Sequence, residues 1–177
     1  MKTKNQKWII GVLVFVLFCL ISNGLSAGEA PAIEWQKTFG GTRWDGAYSV
    51  QQTSDNGYII AGYTEPFGAG RSDVYLIKTD SNSELLWQKT FGETSDDYAF
   101  SVQQTTDGGY IVAGRTRSFG PGDYDAYLIK TDVNGNFLWQ KTFGGISDDY
   151  AYSVQQTADH GYIVAGWTSS FGAGNTD

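Results

Sequence analysis

Aspartates are the residues in this chain whose number and spacing invite chemistry. Asp45, Asp96, Asp97, Asp148 and Asp149 fall in three short segments, TRWDG, TSDDY and ISDDY. Asp73, Asp123, Asp125 and Asp177 fall in three others, FGAGRSD, FGPGDYD and FGAGNTD, with Phe67, Phe119 and Phe171 beside them. If both sets meet on one face, they form an acidic rim with aromatics, suited to cations, basic peptides or sugars. Paired carboxylates also serve as the acid and base of a hydrolysis, with their separation deciding the outcome. The structural alternative is that each aspartate folds its own turn by accepting backbone N–H bonds, with the phenylalanines as buried anchors. One further position stands out because it changes from copy to copy: Tyr63, Arg115, Trp167. Such a position is either where a ligand is discriminated or simply unconstrained.

Other chemistries find less support. Asp132-x-Asn134-x-Asn136 and Asp80-x-Asn82-x-Glu84 alternate oxygen ligands as a calcium loop does, but lack the distal bidentate carboxylate. They read as hairpin turns. His160, the only histidine, occupies the turn position held by Asn56 and Gly108 in the other copies, residue types that tolerate positive φ. No nucleophile is placed beside it. The residues therefore assign no catalytic group, no metal ligand and no cofactor.

The elements that position these residues follow from an internal repeat. Trp35, Trp87 and Trp139 are spaced by 52 residues, as are Ser49, Ser101 and Ser153, and Asp73, Asp125 and Asp177. A fixed period of this length means stacked units. Each unit reads as four short strands: SVQQT (49–53, 101–105, 153–157), GYI-[IV]-AG-x-T (57–64, 109–116, 161–168), D-x-YLIKTD (73–80, 125–132) and LWQKTFG (within 84–92 and 136–144), with IEWQKTFG (33–40) alone at the start. β-Branched and aromatic residues fill the runs, and Gly, Asn and Asp separate them. No 3.6-residue apolar period is sustained, so the expected fold class is all-β. Four antiparallel strands in about 50 residues are the unit of a β-propeller. In that geometry the first strand lines a channel, small residues of the second let neighbours approach, and the three tryptophans belong to the core.

GGISDDYAYSV, GYIVAGWT and DAYLIKTDVNGNFLW resemble the secreted seven-bladed β-propeller (SBBP-type) repeat of bacterial and archaeal proteins. A looser similarity links the chain to kelch repeats and to the tryptophan-docking hairpin of quinoprotein (PQQ-like) propellers, whose turn is one residue longer than Asp132–Trp139. The resemblance implies a propeller on secreted or surface proteins and implies no activity. The expected organisation is a signal peptide (1–27) and an incomplete propeller (31–177). The latter comprises a lone outer strand (33–40), blades at 47–92 and 99–144, and a half blade at 150–168. A ring of several copies would lack strand three at every junction, so a fragment of a longer propeller is expected instead.

The signal-peptide reading rests on Lys2, Lys4 and Lys7, then the apolar run Trp8–Ile21, then SNGLSAGEA. Fourteen apolar residues fall short of the roughly 20 a spanning helix needs. Cleavage after Ser26 or Ala27 would remove the one cysteine, Cys19, and leave nine basic against nineteen acidic residues, a net charge of −10. That charge argues against nucleic acid and, after cleavage, against stable membrane insertion. The expected role is a non-catalytic secreted or cell-surface segment that binds an unidentified protein or carbohydrate. The alternative is part of an extracellular propeller enzyme, carbohydrate-active or quinoprotein-like.

Overall fold

Both faces of the central strands are apolar, and that dictates how the sheets stack. The computed structural model describes residues 16–21, 32–65 and 67–172, with the side chains of 16–21 and 32–34 left aside. Every regular element among the described residues is a β-strand: β1 (Val16–Ile21), β2 (Ala32–Thr38), β3 (Asp45–Gln52), β4 (Tyr58–Thr64), β5 (Asp73–Thr79), β6 (Leu85–Phe91), β7 (Asp97–Gln104), β8 (Tyr110–Thr116), β9 (Asp125–Thr131), β10 (Phe137–Phe143), β11 (Asp149–Gln156) and β12 (Tyr162–Thr168). Two four-stranded antiparallel sheets, β3-β4-β5-β6 and β7-β8-β9-β10, repeat one another; β1-β2 and β11-β12 are two-stranded. The fold is thus all-β and built of repeated antiparallel units.

Ile59, Ala61 and Leu76 of the first sheet pack against Ala99, Val102, Val112 and Ile129 of the second. On the second sheet's other face, Ile111, Ala113 and Leu128 meet Ala151 and Val154 of β11. Strands β4, β5, β8 and β9 are therefore covered on both faces and show no in-out alternation. Each of the three repeat tryptophans reaches over to the following unit; Trp35 and Trp87 pack on the core as expected, whereas Trp139 is 37% exposed and does not join it. Trp35 packs on Tyr58, Trp87 on Tyr110 and Trp139 on Tyr162, with ring centroids 5.8, 5.7 and 5.8 Å apart. The rings thus clamp successive units together.

The polar Ser and Gln of the first strands also join units. Ser49 Oγ accepts from Val102 N at 3.2 Å and Gln51 Oε1 from Gln104 N at 2.6 Å; Ser101 and Gln103 do the same for Val154 and Gln156. Main-chain bonds reinforce the junctions, with Asp97 N donating to Ser72 O and Asp149 N to Tyr124 O, both at 2.7 Å. The first strands begin four residues earlier than the sequence suggests, because Asp45, Gly46 and Ala47 pair with Thr64, Tyr63 and Gly62 ahead of a bulge. The three DD/WD aspartates at 45, 97 and 149 consequently start strands and do not lie in loops.

Most of the expected signal peptide, residues 1–15 and 22–27, lies outside the described residues. Its segment Val16–Ile21 forms β1 and pairs with β2. Cys19 stands opposite Trp35 as Lys78 stands opposite Trp87, and the register shifts next to that pair in both sheets. An apolar run thus takes the strand-three position beside β2, where backbone groups of an open edge would otherwise go unpaired.

One turn is strained where its copy is not. Ser83 has φ 66° and a buried, unpartnered hydroxyl, while Gly135 holds the same repeat position at φ 73°. An L residue in the left-handed region costs roughly 1–2 kcal/mol, and a buried unpaired hydroxyl adds to that. Ser83→Gly is therefore expected to raise the unfolding free energy by about 1 kcal/mol after the entropy glycine adds to the unfolded chain. A urea midpoint unchanged or lowered would show that the turn is not strained.

Candidate functional site

The structure turns five of the candidate aspartates inward. Asp45, Asp73, Asp97, Asp125 and Asp149 are all buried. Asp97 accepts from the Thr116 hydroxyl, from Ser118 Oγ at 2.6 Å and from Glu93 N at 3.2 Å. Asp149 repeats the pattern with Thr168, Ser170 and Gly145 N. Among the described residues Asp45 accepts from Gly41 N alone, at 2.8 Å; Pro66 stands in the sequence where Ser118 and Ser170 stand in the other copies, and the hydroxyl of Thr64, the counterpart of Thr116 and Thr168, is buried without a partner. Asp73 and Asp125 close their own loops by accepting from Gly70 N and Gly122 N at 2.9 and 3.0 Å. These groups tie the strand ends and loops together.

Carboxylates from adjacent units face one another across a glycine. Asp73 Oδ1 and Asp97 Oδ2 each lie 2.5 Å from the point a Cβ on Gly92 would occupy, and Asp125 Oδ1 and Asp149 Oδ2 do so at Gly144. Burial raises the pKa of Asp73, Asp97 and Asp125, with the neighbouring carboxylate adding to the rise for Asp73 and Asp125. Burial pushes Asp149 the same way, but its hydrogen bonds from Ser170, Thr168 and Gly145 win and hold it below the usual value. The difference from Asp97 follows from exposure of the last unit: Ile163 is 61% exposed where Ile59 and Ile111 are fully covered.

Asp96 and Asp148 remain half-exposed. Their main-chain oxygens accept from Arg117 N and Ser169 N at 2.9 Å, and Asp148 Oδ2 accepts from Tyr150 OH at 3.0 Å. Asp123 is exposed and paired with Arg117 at 3.0 Å. Asp177 lies outside the described residues. Of the three phenylalanines, Phe119 packs on Tyr127 and joins the core, Phe67 packs on Tyr75 in the same way but stays 44% exposed, and Phe171 is largely exposed.

The position that varies between copies lies in a continuous aromatic band. Tyr63 stacks on Tyr48 and meets Tyr98, with centroids 6.0 and 5.0 Å apart. Trp167 stacks on Tyr150 at 4.9 Å. Between them Arg115 carries its guanidinium 4.8 Å from the Tyr98 ring, 4.1 Å from Tyr124, 4.8 Å from Tyr150 and 5.8 Å from Phe100. Phe100 in turn bridges Tyr48 and Tyr152, at 5.3 and 5.4 Å. Tyr48 and Tyr152 are more than half exposed. The band therefore crosses three units, with one cation enclosed in its middle.

Beside it lies a polar cleft of about 310 Å³ lined by Arg71, Thr94, Ser95, Asp96, Arg117 and Asp123. Sequence reading singled out Asp96 and Asp123 there and missed both arginines, as well as Tyr98, Tyr124 and Tyr150. The available signal was departure from the repeat. Arg117 replaces Glu65 and Ser169, Tyr124 replaces Ser72, and Tyr98 and Tyr150 replace Gly46.

The remaining candidates are turns. Asp132 Oδ1 accepts from Asn134 N and Asn136 N, both at 2.8 Å, and Asp80 does the same for Asn82 and Glu84. His160 sits at φ 65°, beside Asn56 at 63° and Gly108 at 81° in the other copies. Among the described residues no group of three or more His, Cys, Asp or Glu side chains is arranged for a metal ion. No helix among them is long and apolar enough to cross a membrane.

No protein-family model matches the chain. Regulatory protein FlaEY of Caulobacter vibrioides is 26% identical over an alignment of 138 residues that covers 69% of this chain. The chain spans only 14% of that relative's length.

Proposed function

We propose that this chain is a segment of a β-propeller acting outside the cell as a non-catalytic interaction module, and that the aromatic band is its binding surface. The observation that carries the reading is Arg115 enclosed by four rings in a band whose ends, Tyr48 and Tyr152, are open to solvent. Aromatic faces of this kind offer large, rigid contact area to the apolar faces of a sugar or a side chain. The buried aspartates support the non-catalytic part of the reading, since each engages a carboxylate oxygen in tying a loop or strand end, with Asp45 Oδ1 and Asp125 Oδ1 left buried without a partner. The propeller reading is supported by the stacking of equivalent four-stranded sheets. The resemblance to SBBP-type repeats and the apolar N-terminal run support an extracellular location. Cleavage after Ser26 or Ala27 would strip β1 from β2.

The test is binding of the mature protein to an array of neutral and acidic glycans, with intrinsic tryptophan fluorescence as a solution readout. Saturable binding is expected, and the Tyr48→Ala/Tyr152→Ala double variant is expected to weaken it at least tenfold while retaining its β-sheet circular dichroism. Binding that the double variant retains in full would remove the band as the surface.

A further inference from the structure

Arg71 and Arg117, two of the chain's four arginines, meet in the cleft where the first four-stranded sheet joins the second, and a third, Arg115, lies outside its lining against Tyr98, Tyr124 and Tyr150. The chain is strongly acidic, which makes the concentration a local feature. Tyr124 links Arg115 to Arg117: its ring lies 4.1 Å from the Arg115 guanidinium and 4.9 Å from that of Arg117. Arg117 is neutralised by Asp123. Arg115 makes no ion pair among the described residues, and its Nε is buried with no acceptor. Arg71 is exposed and makes no hydrogen bond or ion pair among the described residues. The cleft sets Arg71 and Arg117 against Asp96 and Asp123, and because Arg117 and Asp123 already pair, the Arg71 guanidinium is left to take an outside carboxylate.

Resting on the aromatic band as a binding surface, we infer that this cleft takes the carboxylate of an acidic sugar, a uronic acid unit of a polysaccharide whose neighbouring rings lie along the band. The planar guanidinium of Arg71 presents two parallel N–H donors to a carboxylate, a match that a point charge does not give. Half-exposed Asp96, with the hydroxyls of Thr94 and Ser95, accepts hydrogen bonds from sugar hydroxyls. An acidic peptide lacks those hydroxyls and would leave Asp96 without a donor. The chain's remote negative charges are largely screened beyond a Debye length of about 8 Å at physiological salt, so the arginine in direct contact decides the binding.

The experiment titrates the mature protein with penta-galacturonate, with its fully methyl-esterified form, and with poly-L-glutamate. The free acid is expected to bind at least tenfold tighter than the ester, and poly-L-glutamate far more weakly than either. Arg71→Gln is expected to bring the acid-to-ester ratio toward one, with Arg71→Lys falling between. Lys141→Gln, the same charge change on β10, is expected to keep the ratio. Equal binding of acid and ester by the wild type would overturn the carboxylate assignment and leave the aromatic band standing. Absence of binding by both would overturn this inference, and the glycan array would then decide the band separately. Poly-L-glutamate binding as tightly as the acid would show that the arginines read charge alone and that no sugar is selected.

Discussion

Gly114→Ala is expected to lower the unfolding free energy by about 3 kcal/mol, although Ala ordinarily outperforms Gly inside a strand by about 0.5–1 kcal/mol. The reason is a contact within the sheet. A Cβ on Gly114 would lie 1.8 Å from the carbonyl oxygen of Tyr98 and 2.9 Å from Ala99 Cα, at the bulge where the β7–β8 register shifts. Both obstacles are backbone, so no side chain can rotate away. Relief requires β7 to move, and β7 carries Asp97, the Val102 packing and the acceptor side chains Ser101 and Gln103 that hold β11. Gly62 and Gly166 meet the same obstruction, from Gly46 O at 1.8 Å and Tyr150 O at 1.9 Å. Gly166 belongs to the more exposed last unit and should cost less. Guanidinium unfolding of the two variants measures both values; a Gly114→Ala midpoint equal to or above the wild type would show that the bulge yields freely.

The second large effect concerns a buried ammonium. Lys130 is 4% exposed at its side chain, donates to Thr131 O at 2.9 Å and pairs with Asp107 at 3.0 Å. Asp107→Ala leaves that charge with one carbonyl, and is expected to cost about 2 kcal/mol at pH 7. The figure sits below the 3–5 kcal/mol of fully buried pairs because Asp107 itself is 60% exposed and partly screened. Adding Lys130→Met removes the unpaired charge and should recover most of the loss.

The pH dependence gives an independent check. Asp107 and Asp55 are held down to about 2, chiefly by hydrogen bonds from Thr105 and Thr53, with Lys130 and Lys78 contributing after the opposing effect of burial. A folded pKa below the unfolded one makes a contribution that is complete above about pH 4 and disappears as pH falls through 2. The gap between wild type and Asp107→Ala should therefore narrow between pH 4 and 2. Asp73, Asp97 and Asp125 act in the opposite sense, since their raised pKa values make ionisation cost stability as pH rises. A gap that stays constant to pH 2 would mean that Asp107 does not hold Lys130 through its charge.

The features legible in the sequence were those set within a few residues. The 52-residue phase gave four strands per unit, and the Asn, Gly and His turn positions were readable because left-handed φ restricts residue type locally. The hairpin turns at Asp80 and Asp132 follow from side chains bonding their own backbone. The second-strand glycines were visible as small, but their use was not. Only the tertiary structure shows that they answer a backbone within the same sheet, while Ala113 is the residue that faces the next one.

The candidate site divides the same way. Asp-rich segments suggest an acidic rim by composition, yet burial is a property of what packs on them, and five of those aspartates ended inside. Arg71, Arg115 and Arg117 are up to 46 residues apart and follow no common spacing. Arg115 and Arg117 lie two apart at the end of β8 beside Tyr124 of the loop that follows, and it is the stacking of the first sheet on the second that brings Arg71 to Arg117. The chain alone determined the repeated unit, because hydrogen-bonding turns and strand periodicity are local; the junction and its cleft exist only once two units pack.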